Sequence, residues 1–160
     1  MNSAVERLEN SVQRLVETIE ALPSEALYRA PAPGDWPVMS TLAHVVELMP
    51  YWSRQALDVA RRTQAGQPFG RTHDDPDRIG AIEQHGNDSL DRALQRIQSA
   101  KAEAVQLLHL IPADGWSKTA RHATRGEMTV QEIVDRFLLS HVDEHLEQAR
   151  AAIQAVGAAR

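Results

Sequence analysis

The chain has 160 residues, 42% of them hydrophobic, enough for one domain over residues 1–160 with an apolar core of its own. It contains no cysteine, which excludes disulfides, thiolate metal sites and a cysteine nucleophile, and leaves any metal chemistry to histidine and carboxylate. The net charge of −5, with basic residues scattered among acids, argues against a nucleic-acid partner, and no apolar run reaches the length of a membrane span.

Four helices are predicted. Val5, Leu8, Val12, Leu15, Ile19 and Leu22 recur at steps of three and four, the seam of a helix packed on other helices, which ends near Pro23. Because this N-terminus reads as charged amphipathic helix rather than a signal segment, a cytoplasmic protein is expected. A second helix runs from Pro37 or Ser40 to Gln64, with Val38, Leu42, Val45, Val46, Met49, Ala56 and Leu57 on one side and a kink at Pro50. The stretch QAGQPFGRTHDDPDR carries turn formers, after which Ile82, Gly86, Leu90, Leu94, Ile97, Ala104 and Leu108 follow helical spacing as far as Pro112. Beyond the loop PADGWSKTARHATRGEM, Thr129 with Glu132 three residues on is a capping-box signature, opening a fourth helix through Val130, Ile133, Val134, Phe137 and Leu138. No strand is expected. The fold class is all-α, a four-helix bundle, and the connection between helices 2 and 3 is long enough to be a crossover.

Steps of four from Phe137 land on His141 and His145 in LLSHVDEHLEQAR, and a step of three more lands on Gln148. Both imidazoles therefore project from the stripe that faces the bundle interior, where neutral rings without partners are costly and a cation would satisfy them. Side chains four apart are about 5–6 Å apart at Cβ, close enough for two rings to share one ion at about 2.0–2.1 Å. A third ligand has to come from another helix, and His44 in STLAHVVELM is the best placed, beside the Val45, Val46 and Met49 stripe. His85 and His109 fall at stripe edges, while His73 and His122 fall in loops and are expected to be exposed. HVDEH also fits the H-x-x-E-H pattern of inverted zincin peptidases, with Glu144 as general base. Those enzymes take an acidic third ligand from far downstream, whereas only 15 residues follow His145, so a peptidase is not expected. Trp36, Trp52 and Trp116 are expected at bundle ends or a pocket mouth, and Met39 and Met49 as core filling.

Two segments carry a family resemblance. DWPVMSTLAH, with Trp36 eight residues before His44, and HVDEHLEQ, with His141, His145 and Gln148, resemble in order and separation the motifs of the DinB/YfiT-like four-helix metalloproteins. That group also holds bacterial thiol-dependent transferases and mycothiol-dependent maleylpyruvate isomerase. Pro37 departs from the serine or threonine common after the tryptophan, and Glu144 from the histidine common at its position. The resemblance implies His44, His141 and His145 as the ligands of a divalent metal such as zinc or nickel, a crossed connection, and a homodimer.

Three neutral imidazoles leave a cation its full charge and an open position, so a water or thiol can become a nucleophile at neutral pH. With no cysteine in the chain, a thiol has to arrive as a small-molecule cosubstrate. The expected activity is metal-activated attack on a small electrophile, most readily thiol transfer. Glu47, Glu144 and Gln148, each about a turn from a histidine, are the candidates to orient a ligand or accept a proton. The competing expectation is a non-enzymatic, stress-associated dimeric binding protein whose metal only holds the bundle together.

Overall fold

The computed structural model describes residues 2–158. In chain order the helices are α1 (Asn2–Glu20), the short α2 (Ser24–Leu27), α3 (Val38–Arg61), α4 (Pro76–His85) and α5 (Leu90–His109). The C-terminal run joins α6 (Val130–Ile133), a π-helical turn (Val134–Leu139) and α7 (Ser140–Ala158). A 3-10 turn (Ala113–Ser117) and three strands, β1 (Pro68–Phe69), β2 (Thr119–His122) and β3 (Gly126–Thr129), complete the chain.

Each long helix buries the stripe that its sequence pattern marks. On α1 this is Leu8, Val12, Leu15 and Ile19, on α3 Leu42, Val45, Met49 and Ala56, and on α5 Ile97, Ala104 and Leu108. Both α1 and α3 pack on α5 and on the C-terminal run, so the order round the bundle is α1, α5, α3, α7. Helix α3 continues through Pro50, which the sequence marked as a kink, from Val38 to Arg61.

Helices α3 and α5 are parallel neighbours. Gly86, just before α5, lies against Ser40 near the start of α3; Arg54 pairs with Glu103 further along; Gly115, beyond α5, lies against Ala60. Parallel neighbours need a connection that travels back along the bundle, and residues 62–89 supply it, with Arg71 reaching Glu47 and Arg78 lying over Trp36. This is the crossover expected between predicted helices 2 and 3. The C-terminal run is antiparallel to α3, since Trp52 stacks on Phe137 while His44 meets His145.

Two expectations are corrected. The third predicted helix is two helices, because Gly86 caps α4 with its N–H on the Ile82 carbonyl, and Ser89 accepts from the Arg92 N–H to start α5 afresh. The reading without strands fails in the segment before Thr129. There β2 and β3 pair antiparallel from Thr119↔Thr129 to His122↔Gly126, with Gly126 at φ 77°, and β1 adds in parallel at Phe69↔His122. Ala120, His122 and Met128 turn inward from this small sheet. It sits on an otherwise all-α fold.

The capping box forms as read, with Thr129 and Glu132 bonding each other's backbone N–H. Four residues later the helix widens, and the Ser140 N–H bonds back five residues to the Asp135 carbonyl. No helix among the described residues is long and apolar enough to cross a membrane.

Candidate metal centre

Three of the seven histidines meet where α3 faces α7. One ring nitrogen each from His44, His141 and His145 lies within 4.8 Å of the other two, a set that modest side-chain rotation closes onto one cation at about 2.0–2.1 Å. The ring centroids are 4.7–5.3 Å apart, with His44 edge-on to both α7 rings and the α7 pair stacked. His44 is 1% exposed and His145 6%, while His141 is half-buried.

The rings fit a metal by their unmet polar atoms. Both nitrogens of His44 and Nε2 of His145 are buried without a hydrogen-bond partner among the described residues. Leaving such a group unsatisfied costs about 1–3 kcal/mol, so packing alone does not explain three of them together. The other nitrogen of His145 is fixed, since Nδ1 donates to Gln148 Oε1 at 2.8 Å and leaves Nε2 as the free donor of an electron pair.

The electrostatics keep the rings neutral. Burial, followed by His145, Arg78, His141 and Arg71, pushes the His44 pKa down to about 2. Burial and then His141 push His145 down to about 4, against the opposing bond to Gln148. Burial and Arg78 also lower His141, and the Phe137 backbone opposes them. Neutral imidazoles are the form that ligates metals.

Two openings reach the triad. A cavity of about 320 Å³ touches His44 and His141 and has Trp52, Phe137 and His122 in its wall and Arg71, Arg78 and Arg125 around it. A cleft of about 650 Å³ touches His145 and Gln148 and runs between Trp36 and the alanines Ala149, Ala152 and Ala155. Arg78 borders both.

A profile of the DinB superfamily matches residues 7–149. The chain belongs to the DinB superfamily. Its backbone is similar to that of YfiT from Bacillus subtilis, described as a "probable metal-dependent hydrolase with an unusual four-helix bundle topology". That likeness has a TM-score of 0.79 at 14% identity and covers 98% of this chain and 87% of YfiT. It is also similar to a variant of the mycothiol-dependent maleylpyruvate isomerase, with a TM-score of 0.69 at 10% identity, covering 95% of this chain and 60% of the isomerase. No curated protein sequence matches the chain significantly.

The remaining candidates from the sequence of this DinB-superfamily member fall in different places. Glu47 Oε2 is 3.8 Å from His44 Nδ1, too far for a hydrogen bond, and 2.5 Å from Arg71 Nη2, so its main partner is the guanidinium. Glu144 is exposed and makes no hydrogen bond to the triad among the described residues. Trp36 lies edge-on to His44 at 5.6 Å between centroids, and Trp52 is buried in the cavity wall. His73 and His109 are exposed, and His85 is partly buried beside Asp88 at 3.1 Å.

His122 corrects the expectation of an exposed loop residue. It is 5% exposed, stacks on Phe137 and accepts the Thr124 N–H at Nδ1. Burial lowers its pKa, opposed by the Arg71 backbone. The alternation Ala120, His122 in TARH was the one signal for it, too short to read as a strand. Arg71 and Arg78 were missed because their place at the cavity depends on the return path of the crossover.

Proposed function

We propose that this protein is a divalent-metal-dependent enzyme that activates a small-molecule thiol, or water, for transfer to a small electrophile. His44, His141 and His145 would hold the cation, zinc or nickel by the donor set, with Gln148 keeping His145 in the tautomer that offers Nε2. The bound cation supplies Lewis acidity, which makes the anion of a thiol or of water available at neutral pH. The observation that carries this reading is the convergence of unpartnered buried imidazole nitrogens from two helices beside a cavity.

The chain's own residues supply the rest. Trp52, Phe137 and His122 line one wall and exclude water from the reacting groups. Glu47, held by Arg71, stands closest to His44 among the carboxylates named and is the candidate to take up a proton. The chain has no cysteine, so the thiol of a transfer reaction enters as a cosubstrate. The backbone likeness to a mycothiol-dependent isomerase, of which this chain spans 60%, supports a thiol, and the likeness to a probable metal-dependent hydrolase supports water.

The test is elemental analysis of the purified protein coupled to turnover. Wild type is expected to hold about one divalent metal per chain and to consume thiol in the presence of a panel of small electrophiles, and His141→Ala is expected to lose both. Full metal content in His141→Ala removes the triad. Metal in the wild type without thiol-dependent or hydrolytic turnover assigns the ion a structural role, the reading of a dimeric binding protein.

A further inference from the structure

The smaller cavity has an uneven charge. Three guanidiniums border it, and none of the residues around it is aspartate or glutamate. The three arginines are not equivalent. Arg71 is neutralised by Glu47 at 2.5 Å and Asp75 at 3.3 Å, with its guanidinium 3.8 Å from the centre of the Tyr51 ring. Arg125 belongs to the exposed hairpin turn, with its guanidinium 5.8 Å from the Phe137 ring centre. Arg78 is half-buried; Nη1 donates to the His73 carbonyl at 2.8 Å, the guanidinium lies 5.3 Å from the Trp36 ring centre, and it has no ion-pair partner among the described residues.

The position of Arg78 matters as much as its missing partner. It borders both the cavity that touches His44 and His141 and the cleft that touches His145, so it stands between the two openings to the triad. Burial lowers its own pKa, the neighbouring Arg71 acts the same way, and Glu47 and Asp75 oppose them from beyond ion-pair distance. A stabilising charge near a metal is normally a carboxylate; an unpaired cation beside a second cation is electrostatically unfavourable until an anion arrives. The planar fork of a guanidinium matches a carboxylate through two parallel N–H···O bonds.

Resting on the function proposed above, we infer that the electrophile is a small carboxylate, anchored by Arg78 with its apolar body against Trp52 and Phe137. Arg78 is then a specificity-determining residue of the same site. The size agrees, since about 320 Å³ is at the small end of ligand pockets. The anchor also acts without metal, because the guanidinium comes from α4, the helix inside the crossover, and not from the ligand helices.

Calorimetric titration with benzoate and its neutral isostere benzamide tests this on the metal-containing protein. Wild type is expected to bind benzoate about tenfold or more tightly than benzamide, the scale of one charge-assisted hydrogen-bonded pair. Arg78→Gln is expected to lose that preference with metal content and benzamide binding unchanged, and Arg78→Lys, which keeps the charge but not the fork, to fall between. His141→Ala separates the two proposals: metal loss with the benzoate preference retained supports Arg78 as the anchor. Preference lost in His141→Ala but kept in Arg78→Gln makes the metal the anchor and overturns the inference, as does wild type that does not distinguish the two probes or binds neither. Failure of the metal reading shows separately, as wild type without metal.

Discussion

The two halves of the bundle solve the same burial problem differently. Where α1 meets α5, the inward positions are aliphatic, with Leu8, Val12, Leu15, Ile97 and Leu108 each at most 1% exposed. Such a seam is satisfied by packing alone. Where α3 meets α7, three inward positions are imidazoles, and both nitrogens of His44 and Nε2 of His145 are left without partners among the described residues. The aliphatic half supplies the stability that the other half spends on holding polar atoms dry. A fold can therefore carry an unsatisfied cluster only beside a seam of this kind, and the cluster is where a ligand has the most to offer.

This contrast can be broken from either side. The largest effect is expected from Leu15→Ala, which opens a cavity in the aliphatic seam and destabilises the fold by about 2–5 kcal/mol in denaturant titration. Metal stoichiometry at low temperature should stay at the wild-type value, and a loss of metal along with stability would mean that the halves are not separable. Gln148→Ala is expected to do the opposite, lowering metal affinity about 10- to 100-fold in competition with a chelator while leaving the metal-free protein's melting temperature nearly unchanged. An unaltered affinity would show that the bond from His145 Nδ1 does not tune the ligand.

The last contrast concerns pH. His44 and His145 titrate near 6.5 when unfolded, but burial holds them down to about 2 and about 4 in the fold. Between about 6.5 and 4 the unfolded chain takes up protons that the folded one refuses, so acid favours unfolding. The metal-free protein is expected to keep the full contribution of these rings above about pH 6.5 and to lose it progressively as the pH falls. His145→Gln should flatten that decline in a series of thermal melts; an identical slope in the variant would place its origin elsewhere.

Much of this was legible in the sequence because long helices repeat their instruction. Five apolar positions in α1 and seven in α3 all vote for the same face, so a helix breaker such as Pro50 does not change the result. His141 and His145 stood out because they interrupt such a stripe, and the structure brings them to His44. Short elements have no such redundancy. In β2 the inward signal is Ala120 and His122 alone, and the break at Gly86–Ser89 is four residues set within a longer helical rhythm. The cavity arginines were beyond reach for another reason: Arg71 and Arg78 follow no periodic pattern, and only the return of the crossover along α3 puts them near Glu47 and Trp36.

The widened turn at Val134–Leu139 has a bearing on how this site came to be aimed. In an α-helix each residue advances the next by about 100° and 1.5 Å, so a five-residue step absorbs one surplus position and re-phases everything after it. His141 and His145 lie directly downstream, on the far side of that adjustment from the capped start at Thr129. Wound as plain α-helix with the same sequence, the run would carry both imidazoles about a quarter of a revolution past their present line and away from α3. The aim of the site thus depends on one residue more than regular winding needs.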